Sequence, residues 1–314
     1  MPIDRRSFVT TLAGAASIAA VGGGSTRALA APARGPVPLK PVPIRKALKI
    51  GMIGEGTTLV EKFAAARAAG FDGVELDSPG PHGADEVRAA MDATGIVVPG
   101  VVDSVHWSKP LSHPDAGVRE EGRRALETAI RDCRAFGGGS VLLVPAVVNA
   151  EVSYADAYER SQEEIRRVLP MAREMGVRIS IENVWNNFLL SPLEAARYTD
   201  ELDPRVCGWH FDIGNIVNYG WPTHWIRTLG DRITRLDLKG FSRQKRNDEG
   251  LWKGFAVEIG DDDADWPGCV EALLDVGYAG GWAAAEVRGG DAARLAEIAR
   301  RMDEHLVGPF NDRL

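Results

Sequence analysis

Three short apolar segments of this chain each end in a carboxylate, and this pattern constrains the fold more than any other feature of the sequence. The segments VRISIE, WHFD and WAAAE close at Glu182, Asp212 and Glu286. A carboxylate at the end of a buried strand is costly unless a charged partner lies against it, and a bound cation is one such partner. Three strand ends meet only if the strands lie side by side and run in the same direction. The pattern therefore predicts a parallel barrel with a site at the carboxyl ends of its strands.

Strand-like and helix-like segments alternate along the rest of the chain. Apolar residues recur at helical spacing between the strands, as in the stripe from Leu126 to Phe136. The strand-like segments begin near Leu48, Gly73, Ile96, Ser140, Val177, Val206, Ile233 and Gly281. Strand–helix pairs with no long run of consecutive strands predict an α/β fold, the (β/α)8 TIM barrel, with a doubly wound parallel sheet as the alternative.

The N-terminal residues have the features of a bacterial export signal. Arg5-Arg6-Ser7-Phe8 contains a twin-arginine pair, the run from Val9 to Val21 is mildly apolar, and Ala28-Leu29-Ala30 has the small residues of a cleavage site. The sequence therefore predicts transport by the twin-arginine export machinery to the periplasm or beyond. The apolar run is too short and too rich in glycine to predict membrane insertion of the mature form.

These features divide the chain into three parts. We predict a twin-arginine signal peptide at residues 1–30, a Pro-rich linker at residues 31–46 and a TIM-barrel catalytic domain at residues 47–309. The last part is long enough for one barrel with a large core.

Charge and cysteine content exclude several classes of function. The formal net charge of −7 argues against a nucleic-acid partner, because such binding depends mostly on Lys and Arg contacts to phosphate. Cys133, Cys207 and Cys269 are odd in number and far apart, which argues against a disulfide framework and a zinc cluster. These features fit a protein that acts on a neutral small molecule, and they leave a homo-oligomer open.

The residues at the predicted strand ends also carry a family resemblance. The motifs are Ile181-Glu182-Asn183, Phe211-Asp212-Ile213-Gly214-Asn215, Leu236-Asp237-Leu238-Lys239 and the tail from Ile259-Gly260 to Glu286. With them, the chain from about Leu48 to Leu306 resembles the xylose isomerase-like TIM barrels, also called the sugar phosphate isomerase/epimerase family. That family includes ketose 3-epimerases, inosose dehydratases and hydroxypyruvate isomerases. The resemblance implies a TIM barrel that acts on a small carbohydrate.

The resemblance further implies one divalent ion, held by Glu, Asp, His and Glu on strands five to eight. Glu182, Asp212 and Glu286 fall on the matching positions, whereas Asp237 stands where the family has histidine. If Asp237 is the fourth ligand, the carboxylate set favours a hard cation, with Mn²⁺ or Mg²⁺ expected. In the alternative, Asp237 pairs with Lys239 on the same strand face and the metal is lost or displaced.

The substrate-binding residues of the family match only in part. Arg243 lies six residues beyond Asp237, where epimerases place a substrate-binding arginine. Phe188 stands in place of a second glutamate of the ketose 3-epimerases, and Asn215 in place of a histidine. The pattern predicts a sugar pocket that includes Asn215, Lys239 and Arg243, and it argues against ketose 3-epimerisation itself.

Further candidates lie near the same strand ends. His106 and Trp107 follow the predicted third strand and are expected either to hydrogen-bond to and stack on a sugar or to be structural. Trp185 is expected to wall the site, His210 is interpreted as a core histidine, and Glu75 as a supporting carboxylate or the partner of a basic residue. The long connections at 103–116, 145–154 and 240–265 are expected to build the pocket.

The chemistry that follows is proton transfer next to a carbonyl. Glu182 and Glu286 approach from different strands, so one is expected to remove a proton while the other delivers it, with a divalent cation stabilising the enediolate. The sequence thus predicts an isomerase or epimerase of an unphosphorylated sugar or polyol. Two alternatives stay open: a lyase or dehydratase on a keto-sugar or keto-glycoside, and a catalytically inactive sugar-binding barrel. A trinuclear zinc nuclease is disfavoured, because the chain has only six histidines.

Overall fold

The computed structural model describes residues 41–314 and contains a closed barrel of parallel strands that follow one another in chain order. The strands are β1 (Ile44–Lys49), β2 (Gly73–Ser78), β3 (Val101–Asp103), β4 (Ser140–Leu143), β5 (Arg178–Glu182), β6 (Cys207–Asp212), β7 (Ile233–Leu238) and β8 (Gly281–Ala285). The predicted (β/α)8 TIM barrel is confirmed, and the doubly wound sheet is excluded because β1 pairs with β8.

Helices connect the strands and cover the outside of the barrel. They are α1 (Leu59–Ala68), α2 (Ala84–Thr94), α3 (Ala116–Ala135), α4 (Tyr154–Met175), α5 (Pro192–Asp200), α6 (Ile213–Val217), α7 (Pro222–Leu229), α8 (Arg243–Glu249), α9 (Trp266–Asp275), α10 (Ala292–Met302) and α11 (Gly308–Asn311). Short 3₁₀ turns lie at Ile50–Met52, Gly230–Arg232 and Leu251–Phe255, and a π-helical turn lies at Asp303–Val307.

Side-chain caps fix where several helices begin. Thr58 forms a reciprocal capping box with Glu61 at the start of α1. Ser191 accepts a hydrogen bond from the backbone N–H of Glu194, and Pro192 follows at the first position of α5. The carboxylate of Glu194 accepts a hydrogen bond from the hydroxyl of Tyr154 on α4.

Two strands begin at positions that differ from the predicted ones. β1 begins at Ile44 rather than near Leu48, so residues 44–46 of the predicted linker belong to the barrel. The rest of that linker up to residue 40, and the predicted signal at 1–30, lie outside the described residues. β3 begins at Val101 rather than at Ile96, because Pro99 has no N–H to donate and Val97 makes only an isolated bridge.

The register of the last four strands sets the position of the site. Glu182 is the partner of His210 across β5 and β6, and Asp212 is the partner of Asp237 across β6 and β7. Partners in adjacent strands point to the same side of a sheet, and so do residues two apart along one strand. His210, Asp212 and Asp237 therefore share the inside of the barrel, with the two aspartates nearer its carboxyl end.

Apolar side chains between the strands and helices form the core, and the cysteines belong to it. Cys133, Cys207 and Cys269 are buried and unpaired, which confirms that they form no disulfide framework. Among residues 41–314, no helix combines the length and apolar character that crossing a membrane requires.

A candidate acidic site at the carboxyl ends of the strands

Four carboxylates from consecutive strand ends converge at the mouth of the barrel. Glu182, Asp212, Asp237 and Glu286 each offer one oxygen, and these oxygens all lie within 4.8 Å of one another. Asp212 and Asp237 are fully buried, whereas the side chain of Glu286 is 41% exposed. The three carboxylates at the predicted strand ends therefore lie together in the structure, and Asp237 of β7 is the fourth member of the group.

Neighbouring amides hold two of these carboxylates in place. The backbone N–H of Asn215 donates to Asp212 Oδ1 at 2.8 Å, since Asp212 is the N-cap of α6. The side-chain amide of Asn215 donates to Glu182 Oε1 at 3.3 Å and to the carbonyl of Asn183 at 3.0 Å. Asn215 thus orients two of the acidic residues from one position.

Lys239 lies among the carboxylates, and its contacts correct one of the predictions. Its Nζ is 2.9 Å from Asp212 Oδ2 and forms an ion pair with Glu286, so it pairs with these two residues instead of Asp237. Lys239 follows the last residue of β7, and its side chain reaches the ends of the two flanking strands rather than turning back. A Cβ at Gly214 would lie 2.4 Å from Lys239 Cγ, so only glycine leaves room for this stem.

Asp237 also belongs to a second charged group, which lies deeper in the barrel. Lys49 Nζ lies 2.9 Å from Asp237 Oδ2 and 2.6 Å from Glu75 Oε2. His210 Nε2 lies 2.8 Å from Asp237 Oδ1, and both side chains are buried. Glu75 thus has the basic partner that was one of its two predicted roles, and His210 lies in the core as predicted.

Burial and neighbouring charge shift the pKa values of the acidic residues in opposite directions. Burial raises the pKa of Asp212 to about 7, an effect that Lys239 opposes and Glu286 reinforces. Burial, and then the charge of Glu286, raise the pKa of Glu182 well above its usual range. Burial would also raise the pKa of Asp237, but His210 and Lys49 hold it below its usual value. The raised pKa values of Asp212 and Glu182 indicate that the neighbouring cations do not fully balance the negative charge around these two residues.

This charge imbalance tests whether a divalent cation suits the residues present. Within residues 41–314, five carboxylates of the two groups face the cations Lys49, Lys239 and Arg235, which leaves a formal excess of two negative charges when His210 is counted as neutral. Carboxylate oxygens are the donors that Mn²⁺ and Mg²⁺ prefer. The donor set and the charge both fit one divalent cation.

An open cavity of about 530 Å³ borders this acidic group, and Glu286 is the member of the group that lines it. Its lining residues come mainly from the loops after β3, β5, β7 and β8. They are Trp107, Val184, Trp185, Asn215, Lys239, Gly240, Trp252, Phe255, Glu286, Val287 and Arg288. The rings of Trp252 and Phe255 lie 4.9 Å and 4.8 Å from that of Trp185, measured between centroids. The cavity thus joins an acidic edge to an aromatic wall.

Four of the predicted substrate-binding residues line this cavity, namely Trp107, Trp185, Asn215 and Lys239. His106 does not, because it is buried and its Nδ1 accepts the backbone N–H of Val144 at 3.3 Å. Burial also lowers its pKa to about 4.

Arg243 is also absent from the residues that line the cavity. Its guanidinium donates to the carbonyls of Val217 and Gly220 at 3.0 Å and 2.7 Å, and it lies over the ring of Trp221. These contacts tie α8 to the connection between α6 and α7, so the structure places Arg243 beside the pocket rather than in it.

Sequence reasoning missed Lys49, Arg288 and the individual aromatic residues of the 240–265 segment. A signal for Lys49 was present, because a lysine directly after the buried pair Ala47-Leu48 needs acidic partners inside the barrel. Arg288 lies in the connection after β8 and has no comparable pattern around it.

A closed parallel barrel with polar side chains gathered at its carboxyl ends is the architecture of the TIM-barrel proteins. Within that class, the chain belongs to the xylose isomerase-like TIM barrel family, whose model matches residues 63–305.

Comparisons with individual proteins agree with this placement. The chain is 25% identical over 233 residues to an Escherichia coli (strain K12) protein named "Putative L-ribulose-5-phosphate 3-epimerase SgbU", and the match spans 70% of this chain and 80% of that protein. D-allulose 3-epimerase from Methylomonas sp. in complex with D-allulose superimposes with a TM-score of 0.69 at 16% identity, covering 84% of this chain and 97% of that one. The 3-keto-D-glucoside 4-epimerase YcjR from E. coli superimposes with a TM-score of 0.66 at 15% identity, covering 83% and 98%. At these identities the solved structures show a shared fold.

Proposed function

We propose that the protein is a divalent-metal-dependent isomerase or epimerase of an unphosphorylated sugar or polyol that works through an enediolate. The observation that carries this proposal is the convergence of Glu182, Asp212, Asp237 and Glu286 within 4.8 Å, beside an open cavity that Glu286 lines. The relatives and structural neighbours described above are named as sugar epimerases, and these names support an isomerase or epimerase reaction.

The four converging carboxylates would hold the cation, with Mn²⁺ or Mg²⁺ expected. When bound, such an ion supplies Lewis-acid polarisation of the substrate carbonyl and neutralises charge in the enediolate. Lys239 lines the cavity and pairs with Asp212 and Glu286, so its ammonium would help to orient these two carboxylates.

Glu182 and Glu286 are the proposed acid–base pair. Glu286 lines the cavity and is partly exposed, so its carboxylate reaches a bound substrate directly. Glu182 is buried within the same group of carboxylates, and it is the proposed partner of Glu286 in the proton transfer. One residue would take the proton from the carbon next to the carbonyl. The other would deliver a proton to the opposite face of the same carbon in an epimerase, or to the neighbouring carbon in an isomerase.

The cavity favours a sugar without a phosphate group. Aromatic faces such as Trp185 and Trp252 suit the C–H faces of a sugar ring. Lys239 and Arg288 are the cations among the lining residues, and Lys239 is already paired with two carboxylates. A phosphate group would therefore find only Arg288 as a cationic partner among the lining residues, next to negatively charged carboxylates. The E. coli relative, in contrast, is named for a phosphorylated sugar.

A lyase or dehydratase acting on a keto-glycoside is the second candidate. Trp107 and Trp252 are 50% and 70% exposed, so the aromatic wall extends outward beyond the acidic group. That extension offers a surface for a second ring, and the name of the neighbour that acts on a 3-keto-D-glucoside agrees with it. The proton abstraction would be the same, followed by loss of a leaving group.

The test is to incubate the purified protein with a free ketose and with a keto-glycoside, each with and without Mn²⁺. Conversion of the ketose to an isomer or epimer only with Mn²⁺ supports the first proposal, and release of a leaving group from the glycoside supports the second. Tight binding of either sugar with no turnover under any condition would contradict both and indicate a binding protein.

A further inference from the structure

Two groups of potential metal ligands lie inside the barrel and share Asp237. The outer group is the set of four carboxylates in the proposed cation site. The inner group consists of Glu75, His210 and Asp237, whose ligand atoms also lie within 4.8 Å of one another. All three side chains of the inner group are buried, and they come from β2, β6 and β7. The inner group therefore contains an imidazole, which the outer group lacks.

The donor atoms of the inner group suit a divalent ion. Two carboxylates and one imidazole form a ligand set that Zn²⁺ and Co²⁺ accept. His210 is 1% exposed, and neither of its ring nitrogens makes a hydrogen bond with a described residue. Its Nε2 lies 2.8 Å from Asp237 Oδ1, so the imidazole is directed into the inner group. Buried polar groups normally have hydrogen-bond partners, so this imidazole is a second indication of a ligand site.

Lys49 occupies this ligand set instead of a metal. Its Nζ lies 2.6 Å from Glu75 Oε2, 2.9 Å from Asp237 Oδ2 and 3.1 Å from Asp237 Oδ1. The side chain is 14% exposed, so the ammonium is largely removed from water. A metal ion bound by the same oxygens would lie close to this ammonium, and two neighbouring cations repel each other strongly in a buried site. The ammonium and a metal ion therefore exclude each other from the inner group.

The charge balance of the inner group agrees with this arrangement. Glu75 and Asp237 carry two negative charges, and Lys49 and Arg235 carry two positive charges, with Arg235 Nη2 3.6 Å from Glu75 Oε1. The inner group and its cations are therefore neutral when His210 is neutral. The formal excess of negative charge lies with the other carboxylates of the outer group, which attract a divalent cation there.

We propose that Lys49 is the resident cation of the inner group and limits the barrel to one exchangeable divalent ion, bound by carboxylates alone. Lys49 is thus a residue that determines metal specificity. It withholds the His210 imidazole from an incoming ion, so Zn²⁺ and Co²⁺ gain no nitrogen ligand. The inference extends the proposed metal site, and it is tested as a difference in the number of bound ions, so that its failure is distinguishable from the failure of that site.

The test counts the ions that the full chain binds. Protein stripped with chelator is titrated with Zn²⁺ and Co²⁺ by calorimetry, and elemental analysis after desalting gives the bound metal. Lys49→Ala removes the ammonium and leaves space, so it should bind one ion per chain more than the wild type does. Lys46→Ala is the matched control, because Lys46 lies on the same strand, its side chain is 12% exposed and it pairs with Asp303. Its ion count should equal that of the wild type.

A double variant assigns the added ion to the inner group. Lys49→Ala with His210→Ala lacks the imidazole ligand, so its ion count should return to that of the wild type. Lys49→Ala alone leaves the inner carboxylates with one cation fewer, so it should be less stable without metal, and Zn²⁺ should raise its Tm more than that of the wild type.

Equal ion counts for Lys49→Ala and the wild type would overturn the inference, even if the wild type binds one ion as the proposed function requires. A wild type without metal and a Lys49→Ala protein with one ion would support the inference and contradict the outer site. If Lys49→Ala does not fold with or without Zn²⁺, the wild type and His210→Gln decide. Equal counts for these two proteins support the inference, and a wild-type ion that His210→Gln loses overturns it.

Discussion

At the scale of single residues, Asp237 is where the proposed metal site departs from the ligand set expected for the family. Its carboxylate lies where the family resemblance led us to expect imidazole, and Lys49 and His210 hold its pKa low so that it stays ionised. An ionised carboxylate adds charge and hardness to the ligand set, which favours Mn²⁺ or Mg²⁺ over softer ions.

We therefore expect Asp237→Ala to lose metal and activity, and Asp237→His to keep both while shifting preference toward Co²⁺ or Zn²⁺. Metal titrations and thermal denaturation of both variants provide the measurement. The alanine variant also leaves Lys49 with fewer partners and should be less stable, so the histidine variant separates a ligand role from a folding role. Full activity of the alanine variant would refute the ligand role.

Glu182 provides a second prediction at this scale, about metal content. It is buried close to Asp212 and Asp237, and replacing it with glutamine removes one negative donor with little change in shape. Protein purified without chelator should contain close to one divalent ion per chain, and Glu182→Gln markedly less. Elemental analysis of both proteins is the check, with Glu201→Gln on the outside of the barrel as the matched control. Equal metal content in Glu182→Gln and wild type would contradict the proposed site.

At the scale of elements, the segment between β7 and α9 builds one side of the pocket. It contains α8 and the 3₁₀ turn Leu251–Phe255, and it places Trp252 and Phe255 against Trp185. The predicted role of the 240–265 connection in forming the pocket is thus consistent with its position.

Trp252→Ala tests this element directly. The side chain is 70% exposed, so its loss should scarcely change stability, but it removes a stacking surface worth about 0.5–1.5 kcal/mol. We expect KM for the sugar to rise roughly threefold to tenfold with kcat little changed. Trp221→Ala is the control, because Trp221 is also exposed, at 60%, and lies outside the cavity lining; steady-state kinetics is the measurement. A KM unchanged from wild type would show that Trp252 does not touch the substrate.

The elements also show what the sequence could and could not predict. Alternation of strands and helices predicted the barrel, and carboxylates at strand ends predicted Glu182, Asp212 and Glu286 together, because both follow from local patterns. The partners of Lys239 were not predictable in this way, since they depend on which flanking strand ends its side chain reaches. Arg243 was placed by spacing alone, and the carbonyls that hold it come from a connection distant in sequence.

At the scale of the whole molecule, the barrel lies within residues 41–314. We propose that the residues before it direct export. Arg5→Lys with Arg6→Lys keeps the charge but removes the twin arginines, so the protein should accumulate in the cytoplasm instead of the periplasm. Cell fractionation with immunodetection measures this, and Arg27→Lys, outside the pair, should be exported as wild type is. Export of the double variant at the normal level would contradict a twin-arginine signal.

The central claim is that the barrel removes a proton next to a carbonyl with Glu182 and Glu286 as the acid–base pair, and turnover in D₂O tests it most directly. With Mn²⁺ and a sugar that the wild type converts, mass spectrometry or NMR should find deuterium on the carbon next to the carbonyl, and Glu286→Gln should slow turnover by about 10²–10⁴-fold. Turnover without exchange or an isotope effect at that carbon, together with a fast Glu286→Gln variant, would contradict the account.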